Sequence, residues 1–423
     1  MTTANATDDP GLSGVRWSSF RQALTPTVLV ATLGYFVDIY DLLLFRIVRE
    51  PSLLALGVPE SQTLSVGLTL DNFQQAGLLI GGVLWGSLGD KRGRVSVLYG
   101  SILLYSVSNL LNAFVTTIPQ YEALRLLAGI GLAGELGVAI TLVSEVLPPG
   151  VRGYGTTIIA TVGVLGAVVA ASVAKLFTWK IAYLVGGGLG LALLLLRVRL
   201  AESGLFSHGQ APQAASRGNF FMLFTNASRF RRYALSILMA IPIWFVIGLL
   251  IAYGNKLAAA LGVVGTVTPA DTILWAYSGL AVGDLSSGLV SQALGSRRKT
   301  IAGYVVLTLL ATVVYFTSMR GQSASTFLGL CFLLGVGVGY WAMFMQSTAE
   351  QFGTNLRATA TTSASNFVRA AVIPMGMIVK AYAPTMGLPA VVMSIGAVVF
   401  GAAFLALWFL PETFGKSLDF LEE

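Results

Sequence analysis

Gly86-Ser87-Leu88-Gly89-Asp90-Lys91-Arg92-Gly93-Arg94 puts three basic residues and one acid into a short glycine-rich turn between two long apolar runs. Its core returns 206 residues later, where Leu294-Gly295 is followed by Arg297 and Arg298. The same offset carries Gly129-x-Gly131 onto Gly335-x-Gly337, and an offset of 205 carries Glu145, Arg152 and Thr156-Thr157 onto Glu350, Arg357 and Thr361-Thr362. Three matches at nearly one spacing mark an internal duplication.

Working outward, apolar runs fall near 25–48, 66–88, 95–117, 120–146, 154–175 and 180–198, then near 233–256, 269–294, 300–319, 323–349, 358–380 and 388–410. The repeat therefore spans six runs, an even number, so both halves face the same way across a membrane. Of the 423 residues 55% are apolar and only 11% charged, against about a quarter charged in a soluble chain. Twelve helices of ~20 residues use up most of that apolar content. The expectation is an all-α membrane protein, with twelve transmembrane helices in two pseudo-symmetric six-helix bundles. The first bundle is placed at 1–198, a polar cytoplasmic linker at 199–231, and the second bundle with a short tail at 232–423. Two parallel six-helix halves place a solute between them near the midplane.

Composition also excludes chemistries. A single cysteine, Cys331, allows no internal disulfide, and a single histidine, His208, builds no histidine metal centre by itself. The net charge of +7 reads as the flanking charge of membrane spans and not as a nucleic-acid surface. Lys and Arg concentrate in the segments that are inner if both termini are cytoplasmic, which sets that orientation. The stretch before the first run has no cleavable signal, so that run is expected to be retained. Gly129-Ile130-Gly131-Leu132-Ala133-Gly134 fits a dinucleotide pattern, but it follows no strand and lies inside an apolar run, where small residues let helices approach. No phosphate-binding Gly-x-x-x-x-Gly-Lys-Ser/Thr run occurs. Neither an enzyme nor a cofactor is expected, and a gradient must supply the energy.

The 86–94 run resembles the loop between helices 2 and 3 of the major facilitator superfamily. Arg125 with Gly129-Ile130-Gly131, then Gly134-Glu135, Ser144-Glu145, Arg152-Gly153 and the tail Pro411-Glu412-Thr413 with Gly415-Lys416-Ser417, are similar to its sugar-porter, aromatic-acid and metabolite symporter, and phosphate symporter branches. Asp38-Ile39-Tyr40-Asp41 is similar to the paired acids in the first helix of proton-coupled organic-acid and phosphate symporters, and Glu135 stands where phosphate symporters carry an Asp. Gly248 and Gly163 depart from the phosphate pattern, and helix 7 lacks the paired glutamines of sugar porters. The resemblance implies a secondary transporter working by alternating access, able to act as a monomer in a bacterial inner membrane.

An ionised side chain at bilayer depth is costly unless it faces the bundle interior with a partner, so each one is a functional candidate. At ~1.5 Å rise per residue, Asp41 and Arg125 lie ~5 and ~7 Å below the outer side, which predicts an ion pair, either broken by protonation or a permanent strut. Asp38, one turn deeper on the same face, is the alternative proton site, and Glu135 is either a second titrating group or a capped polar residue against Gly-rich neighbours. Asp284 and Arg369 both fall near the midplane. Either they neutralise each other, or Arg369 receives a substrate carboxylate, for which a guanidinium fork is suited, with Asn366 one turn away. Trp244, Tyr253, Tyr340 and Trp341 either line the cavity or pack. Asp90, Arg94, Glu145, Arg152, Glu350 and Arg357 are expected to form an inner gate of ion pairs. The leading reading is a proton-coupled importer of a small organic anion. The alternative is a proton-driven exporter of an amphipathic compound or a divalent metal, with Asp38 and Asp41 as ligands.

Overall fold

The computed structural model describes residues 21–148, 151–202, 218–416 and 420–422. The first bundle comprises α1 (Pro26–Ala55), α2 (Glu60–Arg92), α3 (Arg94–Asn112), α4 (Ile118–Leu132), α5 (Glu135–Val146), α6 (Arg152–Leu176) and α7 (Trp179–Glu202). The second comprises α8 (Ala227–Phe245), α9 (Pro269–Leu294), α10 (Arg297–Thr317), α11 (Ala324–Val338), α12 (Trp341–Gln351), α13 (Arg357–Ala370), α14 (Val372–Met386) and α15 (Leu388–Phe409). Among the described residues, eleven segments are long and apolar enough to cross a membrane. The more polar α2, with Asp71, Asn72, Gln74 and Gln75, makes the twelfth.

Local signals start the helices where the sequence puts them. Thr25, Thr117 and Thr268 cap α1, α4 and α9 through their side-chain oxygens, each with Pro in the first turn. Ser296 and Ser323 do the same for α10 and α11. An N-cap oxygen satisfies an otherwise orphaned amide, and Pro at the first position gives up a donor that had no partner. The basic turns are broken by glycine: Gly93 has φ +93° between α2 and α3, and Gly295 has φ +58° after α9.

The duplication is visible in packing. A side chain on Gly129 would run into the backbone of Gln74 in α2, and one on Gly131 into the backbone of Tyr105 in α3. Gly335 and Gly337 stand in the same relation to Ala276 of α9 and Thr308 of α10. Each Gly-x-Gly lets one helix touch two neighbours, and the break between α4 and α5 recurs between α11 and α12, 206 residues on.

The sequence pattern predicted unbroken helices over 120–146, 323–349 and 358–380, whereas each of these is split in two. Apolar periodicity cannot register such breaks, because both pieces continue the same apolar run. The seventh span carries Pro242 inside α8 and continues as a π-helical turn over Val246–Ile251, a form that recurs at functional sites.

The halves close on each other at the end carrying the termini and linker, the terminal end. There α2 packs against α13 and α6 against α9. Beyond the break, α14 packs within its own half and is largely exposed, while on the α6–α9 side the halves stay joined at the distal end, where Lys175 pairs with Asp271 at 3.0 Å.

Candidate functional site

Each break delivers a candidate side chain to the interior. Glu135 opens α5, Trp341 opens α12, Arg369 closes α13, and Trp244 precedes the π turn. Half-helix ends carry partial charges and unpaired backbone groups, which suits them to polar sites at membrane depth.

In the first half the expected Asp41–Arg125 ion pair is not formed. Arg125 donates instead to Asn109 Oδ1 at 2.7 Å, and its guanidinium lies 5.3, 5.9 and 5.2 Å from the rings of Phe45, Tyr121 and Tyr183. Asn109 stands between the two charges, and both oxygens of the fully buried Asp41 lack a hydrogen-bond partner. Matched depth fixed only one coordinate: which way each helix turns decides whether groups at one level meet.

Glu135 has a partner at the far end of the first bundle. Arg197, buried in the last turns of α7, donates to both Glu135 oxygens and at 3.3 Å to the Val30 carbonyl. The expected run over 180–198 contains Arg197, but nothing in the sequence showed that its side chain faces Glu135. Breaking a buried pair on one side leaves an uncompensated charge, at a cost of about 3–5 kcal/mol. Glu135→Ala is therefore expected to lower the melting temperature sharply, and Glu135→Leu with Arg197→Met much less. Equal losses in a thermal melt would contradict this account of the pair.

Between the halves, Asp38 of α1 is fully buried with neither oxygen hydrogen-bonded. Its electrostatic neighbours are Arg369 of the other half, then Glu135, Asp41 and Arg197. Arg369 makes no ion pair with Asp284. That acid is turned to the start of α12, where it accepts the Ala342 amide at 3.2 Å beside the Trp341 amide. The Arg369 guanidinium instead lies 5.9 Å from the Trp244 ring and 5.6 Å from the Trp341 ring. Arg369 Nε and Trp341 Nε1 are buried donors without partners, as Asp284 Oδ2 is a buried acceptor without one. Buried polar groups are nearly always paired, so this convergence needs an explanation.

Other candidates lie elsewhere. Asn366 donates to the carbonyls of Ala133 (3.1 Å) and Thr362 (2.8 Å), linking α13 to the α4–α5 break. Tyr340 donates to the Met239 carbonyl at 3.1 Å, a packing contact. Tyr253 sits at the distal end near Asp71, Arg49 and Arg46. Among the described residues no three His, Cys, Asp or Glu side chains converge.

The gate residues gather at the terminal end. Asp90 accepts the amides of Ala358 (3.2 Å) and Thr359 (2.8 Å) and the Thr359 hydroxyl (2.5 Å), so an acid of the first half caps α13 of the second. Thr156 donates to Gln346 at 2.6 Å across the same interface. Gln346 in turn donates to Glu350 at 2.8 Å, and Glu350 pairs with Arg297 at 3.5 Å. Arg357 donates to the carbonyls of Ala349 and Phe352, and Arg152 is buried at the start of α6. The side chains of Arg94 and Glu145 lie outside the described residues. In the tail, Glu412 caps α10 through Ser296 and the Arg297 amide. Partial burial opposes ionisation there, but these hydrogen bonds outweigh it and hold the Glu412 carboxyl below its usual range.

The sequence matches the family profile described as Major Facilitator Superfamily over residues 31–377. A putative metabolite transport protein of Haemophilus influenzae is 28% identical over 409 residues, covering 92% of this chain and 96% of that protein. The niacin transporter NiaP of Acinetobacter baylyi is 26% identical over 320 residues, covering 67% of this chain and 70% of its own. A solved structure of the proton:xylose symporter XylE, bound to 6-bromo-6-deoxy-D-glucose, aligns with a TM-score of 0.69 at 17% identity, covering 95% of this chain and 98% of that one. At that identity the likeness is one of fold.

Proposed function

The chain belongs to the major facilitator superfamily, and on that premise we propose that it is a proton-coupled symporter of a small, planar organic anion. The observation that carries this reading is Arg369, buried between two indoles and without an acidic partner. A guanidinium offers a carboxylate a matching fork of donors. The Trp341 N–H adds a donor, and the indole faces suit a flat ring. The niacin transporter among the relatives moves a compound of this class, which supports the choice.

Coupling follows from the electrostatic influence of Arg369, in the second half, on the buried Asp38 of the first. While Asp38 is ionised, its negative charge competes with an incoming carboxylate for the guanidinium. Protonation removes the competitor, so proton and anion each favour binding of the other, as reciprocal linkage requires. With both bound the site is close to neutral and the halves can rock past each other. Asp41 near Arg125, and the Glu135–Arg197 pair, set the field around Asp38. The Asp90 cap and the Thr156–Gln346 bond are the inner gate, which opens when the site faces inward. The positive-residue distribution supports termini in the cytoplasm and the distal end outside, and the proposed setting is a bacterial inner membrane with a monomer as the working unit.

A ligand stabilises the state it binds by about 2.7 kcal/mol at a hundred times its dissociation constant. Nicotinate and benzoate are therefore expected to raise the melting temperature of the purified protein at mildly acidic pH, and xylose is not. Stabilisation by the sugar and by neither carboxylate would overturn the reading.

A further inference from the structure

The indole that covers Arg369 is shared. Arg46 of α1 lies 5.5 Å from the same Trp244 ring, so the two guanidiniums share one aromatic neighbour and are at most about 11.4 Å apart. Tyr277 of α9 feels the charge of both. Arg46 belongs to the distal stretch of α1, two turns beyond Asp38. It is only loosely engaged, its Nε 3.5 Å from Asp71, and both side chains keep some exposure, 8% and 17%. Further cations stand nearby. Arg49 neighbours Tyr253 and Lys256 electrostatically. Lys256 is held below the usual ammonium range by partial burial and then by Arg49, with Glu50 opposing. The distal mouth therefore gathers Arg46, Arg49 and Lys256 against Asp71 and Glu50.

We infer that Arg46 forms a second, outer carboxylate site, in which an anion arriving from the distal side displaces Asp71 before passing around Trp244 to Arg369. This rests on the proposed function and adds a station to its path. Two guanidiniums within 6 Å of one indole make Trp244 the link between stations, with two cations that an anion can engage in turn. A positive mouth raises the local concentration of anions and their rate of arrival, an effect that fades as salt screens it. Arg46 thus governs access from one face only, because an anion arriving from the terminal side reaches Arg369 first.

The test uses the full-length protein in vesicles of defined orientation, with radiolabelled nicotinate and benzoate as probes. Arg46→Gln is expected to raise the KM for transport from the distal face about tenfold and to flatten its salt dependence, as loss of a steering charge does. The KM from the terminal face stays within about twofold of its starting value, since steering acts only where the charge lies. Arg46→Lys keeps the charge and restores most of the salt dependence, and Asp71→Asn lowers the distal KM. Arg369→Gln raises KM from both faces. Equal changes from both faces for Arg46→Gln, or none from either, overturn the outer site and leave Arg369 untouched. An Arg369→Gln protein with normal KM from both faces overturns the functional reading itself, and absence of saturable transport of either probe overturns both.

Discussion

Arg369→Gln is expected to raise the apparent dissociation constant for a carboxylate by about 10- to 150-fold, because hydrogen bonds to a charged group contribute about 1.5–3 kcal/mol. The empty protein should fold as well as before or better. In the absence of solute, Arg369 lies beside two indoles with its Nε unpartnered and no ion pair; Asp38 feels its charge but takes up a proton when that charge is lost, so removing Arg369 strands no fixed opposite charge in the way that removing Glu135 strands Arg197. Loss of binding without loss of stability separates a solute-binding cation from a scaffolding one. Arg369→Lys should fall between, since an ammonium keeps the charge and loses the planar fork. Isothermal titration with nicotinate, together with a thermal melt of the unliganded variant, checks both halves of the expectation. Unchanged affinity, or a fall in melting temperature comparable to that of Glu135→Ala, would contradict the role.

The second large effect is expected at Asp38. Asp38→Asn fixes the position in its neutral form, so Arg369 meets no competing carboxylate at any pH. Exchange of labelled for unlabelled solute across vesicles with equal pH on both sides should continue. Uphill accumulation should vanish, since the anion no longer needs a proton to bind. Affinity at neutral pH should rise toward the acidic value of the unmodified protein, because the variant mimics its protonated state. Asp41→Asn is expected to weaken coupling less: its carboxylate lies by Asn109 and Arg125 inside the first bundle and is not the group that Arg369 influences. Exchange lost together with accumulation in Asp38→Asn would point to a structural acid and sink the coupling scheme.

The glycine-basic turn and its echo at 206 residues carried the architecture, because a repeat of sequence is a repeat of packing. Gly129 and Gly131 recur as Gly335 and Gly337 with equivalent neighbours in α2 and α3, then α9 and α10. The identities of the interior charges were legible too, since an acid or a base within an apolar run stands out. Their partners were not. Depth along a helix follows from counting residues, but rotation about its axis depends on the packing of the whole bundle, and it turns Asp284 to the α12 amides and Arg125 to Asn109. Arg197 was hidden for the same reason: it falls inside the expected run over 180–198, but next to the basic linker edge it reads as a flanking charge, and only the packed bundle shows it reaching Glu135. The gate was half visible. Asp90 was singled out with acids and bases in mind, yet it meets the start of α13 through backbone amides and a threonine hydroxyl. No side-chain pattern announces such a contact.

The most direct measurement is the steady-state accumulation of nicotinate in proteoliposomes against an imposed pH difference, with protein-free liposomes subtracting passage of the neutral acid through the lipid. For one proton carried per monovalent anion, each pH unit stores about 1.4 kcal/mol, so the protein-dependent ratio of inside to outside solute should climb about tenfold per unit and should stay at one in Asp38→Asn. A ratio that stays at one in the unmodified protein while exchange proceeds, or one that climbs equally in the variant, would contradict coupling through Asp38 and Arg369.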